Sequence, residues 1–209
     1  MRNLVLFFAA LTVVSPAAAS ELSVTVRDAA GQLVDDAVVT IRPASAPPAD
    51  IRFPWPYLMV QQDISFHPFV LIVPVGAEVR FPNRDKVRHH VYSFSAAKRF
   101  QLKLYGKDET RTVVFDKPGV VALGCNIHDR MMAFIDVVET PWAARSEGGK
   151  AVISDAPQGA VTLTVWHPFS RAPGGTLSRA ITLPAKGEAK ETVILDLRPR
   201  PAMGKGAMG

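Results

Sequence analysis

Residues 121–135 read VALGCNIHDRMMAFI, and this stretch decides how the rest of the chain is interpreted. Within it, Cys125, His128 and Met131 stand at the spacing C-x2-H-x2-M. A loop between two strands can turn back on itself over that distance. The spacing therefore predicts that a thiol, an imidazole and a thioether are aimed at one point.

A histidine from another strand would complete a metal-ligand set. Residues 87–94, VRHHVYSF, read as an extended strand that carries His89 and His90. Two imidazoles and a thiolate with a weak axial thioether form the ligand set of a blue copper electron-transfer site. Zinc is the alternative because Cys and His also bind it, although a methionine ligand would add little there.

Cys125 is the single cysteine of the chain. An odd cysteine in an exported protein suggests intermolecular pairing or a special thiol, and a metal-bound thiolate is a third interpretation. Val121 and Leu123 share its parity along the strand, so Cys125 is expected on the core-facing side.

The first 19 residues have the pattern of a secretory signal peptide. Arg2 precedes an apolar run over residues 4–14, and small residues end at Ala19. The run is too short for a spanning helix, and no other segment approaches membrane length. The mature protein is therefore predicted to be periplasmic and without a membrane span, with an uncleaved anchor as the alternative.

The composition favours an all-β protein of short strands. The 17 prolines and 14 glycines are scattered along the chain, and long helical periodicities are absent. The net charge of +5 is modest, and no nucleic-acid motif is present. Neither a G-x-S-x-G nor an H-E-x-x-H motif occurs, which argues against an enzyme. Cys125 as a nucleophile with His128 as its base would leave Met131 and His89 unexplained.

Three blocks organise the mature chain. The strands of residues 20–42 are too few for a core of their own, and with residues 147–198 they resemble a split carboxypeptidase regulatory-like (transthyretin-like or Ig-like) β-sandwich. This implies that residues 57–140 are inserted between the two pieces; alternatively, the N-terminal strands join the central block. The proline-rich residues 43–56 are expected to be irregular, and the tail 199–209 to be disordered.

The central block resembles a cupredoxin, most like the amicyanin and plastocyanin branch. Residues 79–91, VRFPNRDKVRHHV, match that family's strand, asparagine, short loop and histidine, and the loop GCNIHDRM matches its second ligand segment. The resemblance implies a Greek-key β-sandwich holding one mononuclear copper ion, Cu(I) or Cu(II). His89, Cys125 and His128 would bind the copper, with Met131 as the axial ligand.

One departure from the family concerns the residue after the ligand histidine. The family usually has an asparagine there, which helps to tie the two ligand loops together, whereas this chain has His90. We expect His90 and Asn83 to contact and orient the ligands, because such partners tune a metal site. Adjacent residues of a strand point to opposite faces, so both histidines should not bind one ion, and His90 in place of His89 is the alternative.

A basic stretch follows the predicted strand ending at Asn83. Residues 84–111 contain eight Lys or Arg against three acidic residues. They form either a solvated basic face or a docking surface for an acidic redox partner, since charge speeds encounter. The residues expected to contribute to docking are Lys86, Arg88, Lys98, Arg99 and Arg130.

These observations leave three functions. The first is one-electron transfer between a protein donor and a protein acceptor, with the exposed ring edge of His128 as the electron port by resemblance to the family. The second is copper binding or delivery, where the metal is cargo. The third is a binding module in which the sandwich recognises a partner or glycan and the metal is structural.

Overall fold

The computed structural model describes residues 20–45, 50–128 and 130–200. These residues form sixteen strands and one short 3-10 turn at Pro173–Gly175, so the all-β class is confirmed. The described part of the chain contains no helix of the length and apolarity that a membrane crossing requires. The predicted signal peptide and residues 201–209 of the predicted tail lie outside the described residues.

Strands from both ends of the chain form one sandwich, here called the terminal unit. Its two sheets have the orders β13-β1-β16 and β12-β2-β14-β15. Strand β1 lies between β13, which is antiparallel to it, and β16, which is parallel. The strands are β1 (Ser20–Asp28), β2 (Val38–Pro43), β12 (Ala143–Arg145), β13 (Lys150–Ala156), β14 (Gly159–Trp166), β15 (Thr176–Leu183) and β16 (Gly187–Leu195).

The strands between β2 and β12 form a second sandwich, here called the central unit. Its larger sheet has the order β5-β11-β10-β7-β8. The opposite layer contains the pairs β3-β4 and β6-β9, with bridges from Leu58 to Arg80 and from Gln61 to Asn83. The strands are β3 (Val60–Gln62), β4 (Ser65–His67), β5 (Val70–Pro74), β6 (Ala77–Pro82), β7 (His89–Phe94), β8 (Arg99–Tyr105), β9 (Thr110–Phe115), β10 (Gly119–Cys125) and β11 (Met132–Val138).

Alternating side chains explain how each sandwich fills its core. In β10, Val121, Leu123 and Cys125 are all buried while Ala122 is exposed, which is the predicted parity. They join a buried cluster that the opposite layer completes with residues such as Phe81. A separate cluster fills the terminal unit. Each unit therefore has its own hydrophobic core.

The boundary after the central unit differs from the sequence prediction. The sequence pattern predicts no strand between residues 140 and 147, whereas β12 lies there and pairs with β2. Three residues are too few to show an alternating pattern, so the sequence gives no signal for this strand.

At the other end of the chain, the guanidinium of Arg200, the last described residue, lies 3.9 Å from the ring centroid of Phe69.

A third apolar cluster joins the two units. Trp166, at the end of β14, lies against Phe134 of β11, with their ring centroids 5.6 Å apart in an edge-to-face arrangement. Val38 of β2 and Ile72 of β5 belong to the same buried cluster. Edge-to-face aromatic pairs add to the free energy gained from area burial alone. The two units are therefore packed together through a specific apolar contact.

Replacing Trp166 by Ala should destabilise this contact. Truncating a buried tryptophan typically costs about 3–5 kcal/mol, and Trp166 is buried. The free energy of unfolding, measured by urea denaturation, is expected to fall by this amount. Ile194→Ala on the exposed face of β16 is the control, since surface substitutions stay within about 0.5 kcal/mol. A loss below about 1 kcal/mol for Trp166→Ala would show that the contact contributes little.

Candidate metal centre

Three potential metal ligands converge at one end of the central unit. One ligand atom from each of His89, Cys125 and His128 lies within 4.8 Å of the other two. The sulfur of Cys125 is 3.9 Å from Nδ1 of His89 and 3.6 Å from Nδ1 of His128. His89 and Cys125 are buried and His128 is half-buried. The structure thus brings together three of the four predicted ligands through their nitrogen and sulfur atoms.

The parity of β7 decides which of the two adjacent histidines reaches this cluster. His89, Val91 and Ser93 are directed inward and almost fully buried, whereas Phe94 is exposed. Val91 pairs with Cys125 across the sheet. His89 therefore lies on the same side of the sheet as the cysteine, as its position in the strand requires.

Backbone hydrogen bonds return the ligand loop to its starting strand. The N–H of Met131 donates to the carbonyl of His128 over 2.9 Å, and the N–H of Cys125 donates to the carbonyl of Met131 over 3.2 Å. These bonds close the loop directly behind the cysteine. As a result, His128 is held against Cys125 although it lies between two strands.

The environment of Cys125 favours its thiolate form. Burial by itself raises the pKa of the thiol, but hydrogen bonds to the sulfur outweigh burial and lower the pKa to about 6. The donors are His89, the backbone N–H groups of His90 and Ile127, and His128. A thiolate is the form of cysteine that binds a metal, and the His89 proton that stabilises the thiolate is released when Nδ1 binds the ion.

His89 is held on its other side by Asp85. Nε2 of His89 lies 2.7 Å from Oδ2 of Asp85. Burial alone would lower the pKa of His89, but hydrogen bonds with Cys125 and Asp85 raise the pKa above its ordinary value. Because the carboxylate accepts the Nε2 proton, the lone pair of Nδ1 in the neutral ring is directed at the cluster. This is the carboxylate–histidine arrangement that fixes the tautomer of metal-ligating histidines.

Asp85 is itself fixed by three hydrogen bonds, two accepted by its carboxylate and one donated by its backbone N–H. Its carboxylate accepts N–H groups from Asp63 at 2.7 Å and Ile64 at 3.1 Å. Its own N–H donates to Oδ1 of Asn83 over 2.8 Å. Asp63 and Ile64 have φ angles of 55° and 52°. This left-handed conformation is especially unfavourable for Ile64, because its side chain is β-branched. Such a turn persists only where its surroundings stabilise it, and Asp85 provides that stabilisation.

Asp85 is a functional residue that the sequence pattern does not predict, since there it is one of three acids within the basic stretch. A signal was available. Asp85 stands four residues before His89 in the loop that begins at Asn83, and ligand histidines commonly have a carboxylate partner.

The side chains of the two residues predicted to orient the ligands form their hydrogen bonds with residues other than the ligands. Asn83 donates from Nδ2 to the carbonyls of Val87 at 2.9 Å and Tyr105 at 3.1 Å, so it holds the loop between β6 and β7. His90 points away from the cluster, and its Nε2 lies 2.7 Å from the side-chain nitrogen of Gln101. Its contribution to the site is the backbone N–H that donates to the Cys125 sulfur.

The adjacent residues Met131 and Met132 differ in burial. Met131 is 3% exposed and belongs to the same buried cluster as Cys125. Met132 is half-buried and pairs with Gly124 across the sheet. The burial of Met131 beside the cysteine is compatible with an axial thioether, and that role stays a prediction.

The other residues singled out from the sequence lie outside the cluster. His67 is exposed at the end of β4. His167 is buried, its Nδ1 accepts the N–H of Phe169 at 3.2 Å, and burial lowers its pKa to about 4. Of the residues expected in docking, Lys86, Arg88, Arg99 and Arg130 are exposed, whereas Lys98 is half-buried and pairs with Asp116 at 2.7 Å.

The donor set of the cluster fits the predicted metal. Two imidazole nitrogens and one thiolate suit a copper ion in either oxidation state, since sulfur favours Cu(I) and imidazole suits Cu(II). His89, Cys125 and His128 would hold it.

Comparisons with known proteins give partial likenesses. No protein-family model and no curated protein matches the chain. Among solved structures, the Cu-containing nitrite reductase (NirK) from Thermus scotoductus SA-01 is 30% identical over 46% of this chain, with a TM-score of 0.39. The alignment spans 25% of the reductase chain, so most of that protein has no counterpart here.

Two further matches are small copper-protein structures whose own chains are covered almost completely. A purple cupredoxin from Nitrosopumilus maritimus is 22% identical, covering 39% of this chain and 98% of its own, with a TM-score of 0.36. An amicyanin mutant in its reduced state is 22% identical, covering 50% of this chain and 100% of its own, with a TM-score of 0.37. With scores this low, the strand pairing rather than the alignments defines the fold.

Asp85→Asn should weaken metal binding while the fold is retained. The amide removes the charged acceptor for Nε2 of His89, and loss of such a partner typically costs about 10–100-fold in metal affinity. We expect a decrease of this size in Cu(I) affinity, measured by competition with a chromogenic chelator. Asp116→Asn is the matched control, because that aspartate pairs with Lys98 on the surface. A Cu(I) affinity of Asp85→Asn within about twofold of the parent would contradict the positioning role.

Proposed function

We propose that this chain is a periplasmic type 1 (blue) copper protein that transfers single electrons between protein partners. The observation that carries the proposal is the convergence of two imidazole Nδ1 atoms on the sulfur of Cys125, at 3.9 and 3.6 Å. When bound, copper would supply a one-electron couple between Cu(I) and Cu(II). The periplasmic location is supported by the signal-peptide pattern of residues 1–19.

In this function, the surrounding residues of the protein fix the positions of the ligands. His89 is fixed from one side by the sheet and from the other by Asp85. The ligand loop is closed by the hydrogen bond from Met131 to the carbonyl of His128. A site whose ligands do not move between oxidation states requires little rearrangement during transfer. Preorganisation of this kind depends on partners that lock each ligand.

His128 provides the expected contact with the outside. It is the half-buried member of the cluster, and its neighbour Ile127 is 49% exposed. The ring centroids of His128 and His89 lie 5.1 Å apart. An exposed apolar residue beside a half-buried ligand favours close approach of a partner at this end of the central unit.

Copper(II) added to the purified mature protein should produce an intense blue colour and narrow copper hyperfine splitting in the EPR spectrum. Both features require the thiolate, so Cys125→Ser is expected to lose them. His89→Ala should lose them too. His90→Asn should keep the blue colour because the His90 side chain points away from the cluster.

The two adjacent histidines thus form a matched pair of variants. A colourless protein would remove the blue-copper proposal. Retention of the colour in His89→Ala together with its loss in His90→Asn would assign the ligand to His90 instead.

Electron transfer and copper delivery differ in how long the metal stays bound. Burial of His89 and Cys125 favours retention, because exchange requires opening of the loop. We expect repeated cycles of one-electron reduction and oxidation, followed by voltammetry, without loss of copper to a chelator in the same solution. Transfer of the copper to the chelator within the first cycles would indicate that the metal is cargo.

A further inference from the structure

The terminal unit covers only part of the outer face of the larger central sheet. Val120 of β10 and Phe134 of β11 are covered by that unit through Trp166. On β7, farther along the strand order, the side chains of Tyr92 and Phe94 project from the sheet, and neither belongs to the cluster that joins the two units. Phe94 is 77% exposed, more than any other large apolar side chain in the described ranges.

An aromatic pair connects this face with the metal centre. The Tyr92 and Phe94 rings have centroids 5.2 Å apart. Tyr92 also lies on Gly124, so closely that a Cβ atom on that glycine would be 2.7 Å from the tyrosine ring. Gly124 directly precedes Cys125. Tyr92, which contacts the exposed Phe94, is therefore separated from Cys125 by a single residue without a side chain.

A recess opens beside the pair. It has a volume of about 500 Å³ and reaches the backbone of the ligand loop. Its wall combines polar and apolar groups, and the lining residues include Tyr92, Phe94, Ser95, Gly124, Asn126 and Met132. A concave surface that carries aromatic and methionine side chains beside polar groups has residue types that are enriched at protein interfaces.

The edge of this face is basic. In β8, Arg99 pairs with Phe94 and Gln101 pairs with Tyr92 across the sheet. Arg99, Gln101 and Lys103 are all exposed, since they alternate with partly buried residues. The edge strand therefore places two cations beside the aromatic pair.

Most of the local positive charge is not neutralised by the protein itself. Of the eight basic residues in the range 84–111, Lys98 pairs with Asp116 and Arg111 pairs with Glu109. The other six form no ion pair within the residues that the structure describes. Their charge is available for an acidic partner, and it would oppose association with a second copy of this chain.

We propose that Tyr92, Phe94 and the recess, bordered by Arg99 and Lys103, form a docking surface for an acidic one-electron redox protein. This inference rests on the proposed electron-transfer function. Docking here would bring the partner against Gly124, next to Cys125, on a face distinct from the exposed loop of His128. The surface would thus give the protein a second contact for exchanging one electron with a partner, without transfer of any atom.

The test is a titration of the 15N-labelled, Cu(I)-loaded mature chain with an acidic monohaem cytochrome at low ionic strength. Amide shifts should cluster at Tyr92, Phe94, Gly124 and Met132. Arg99→Glu is expected to raise the Kd about tenfold because it places like charges together, and Phe94→Ser about fivefold because it removes an apolar anchor. Circular dichroism checks that both variants are folded.

Two matched controls lie on the terminal unit. Lys186→Glu repeats the charge reversal, and Ile194→Ser repeats the loss of an exposed apolar side chain. Both should leave the Kd within about twofold. Failure of the protein to bind copper would appear at the loading step, before any partner is added, and would count against the proposed function instead.

Three results would overturn the docking surface. One is a cluster of shifts around Ile127 and His128 with unchanged binding by Phe94→Ser, which would place docking at the ligand loop. Another is an equal increase of the Kd in Arg99→Glu and Lys186→Glu, which would mean that only the net charge of the chain attracts the cytochrome. The third is the absence of saturable binding, or shifts that depend on the concentration of the labelled chain alone, which would indicate self-association.

Discussion

The hydrogen bonds converging on the sulfur of Cys125 are the interaction on which the candidate site depends. Burial alone would keep this thiol protonated, whereas donors from two separate segments make the thiolate the favoured form. One segment begins at His89 and the other is the loop that ends at Met131. Because both must be in place, the pairing of β7 with β10 and the closure of the loop are requirements of the chemistry as well as of the fold.

The terminal unit shapes what the central unit can present to other molecules. Its contact through Trp166 covers residues of β10 and β11 in the larger central sheet. The end of the sheet formed by β7 and β8 is left uncovered. A sheet with one face packed and one face solvated normally alternates apolar and polar residues. The uncovered end departs from that rule with Tyr92 and Phe94 on its outer face, and such departures are expected where a surface has a function.

Much of the candidate site could be predicted from local sequence. The spacing of Cys125, His128 and Met131 identified the loop, and strand parity explains why His89 rather than His90 reaches the cluster. Asp85 was not identified because its contact with His89 depends on the path of a loop, which has no periodic pattern. Strand β12 and the position of Tyr92 over Gly124 depend on pairing between strands distant in sequence, so tertiary structure was needed to find them.

The most direct test of the central claim is a crystal structure of the copper-loaded protein with anomalous diffraction measured at the copper edge. We predict one strong peak, bonded to Nδ1 of His89, Nδ1 of His128 and the sulfur of Cys125. We also predict that Asp85 remains hydrogen-bonded to Nε2 of His89. A copper peak at His67, at His167 or between surface side chains, with the cluster lacking metal, would show that His89, Cys125 and His128 are not the copper ligands.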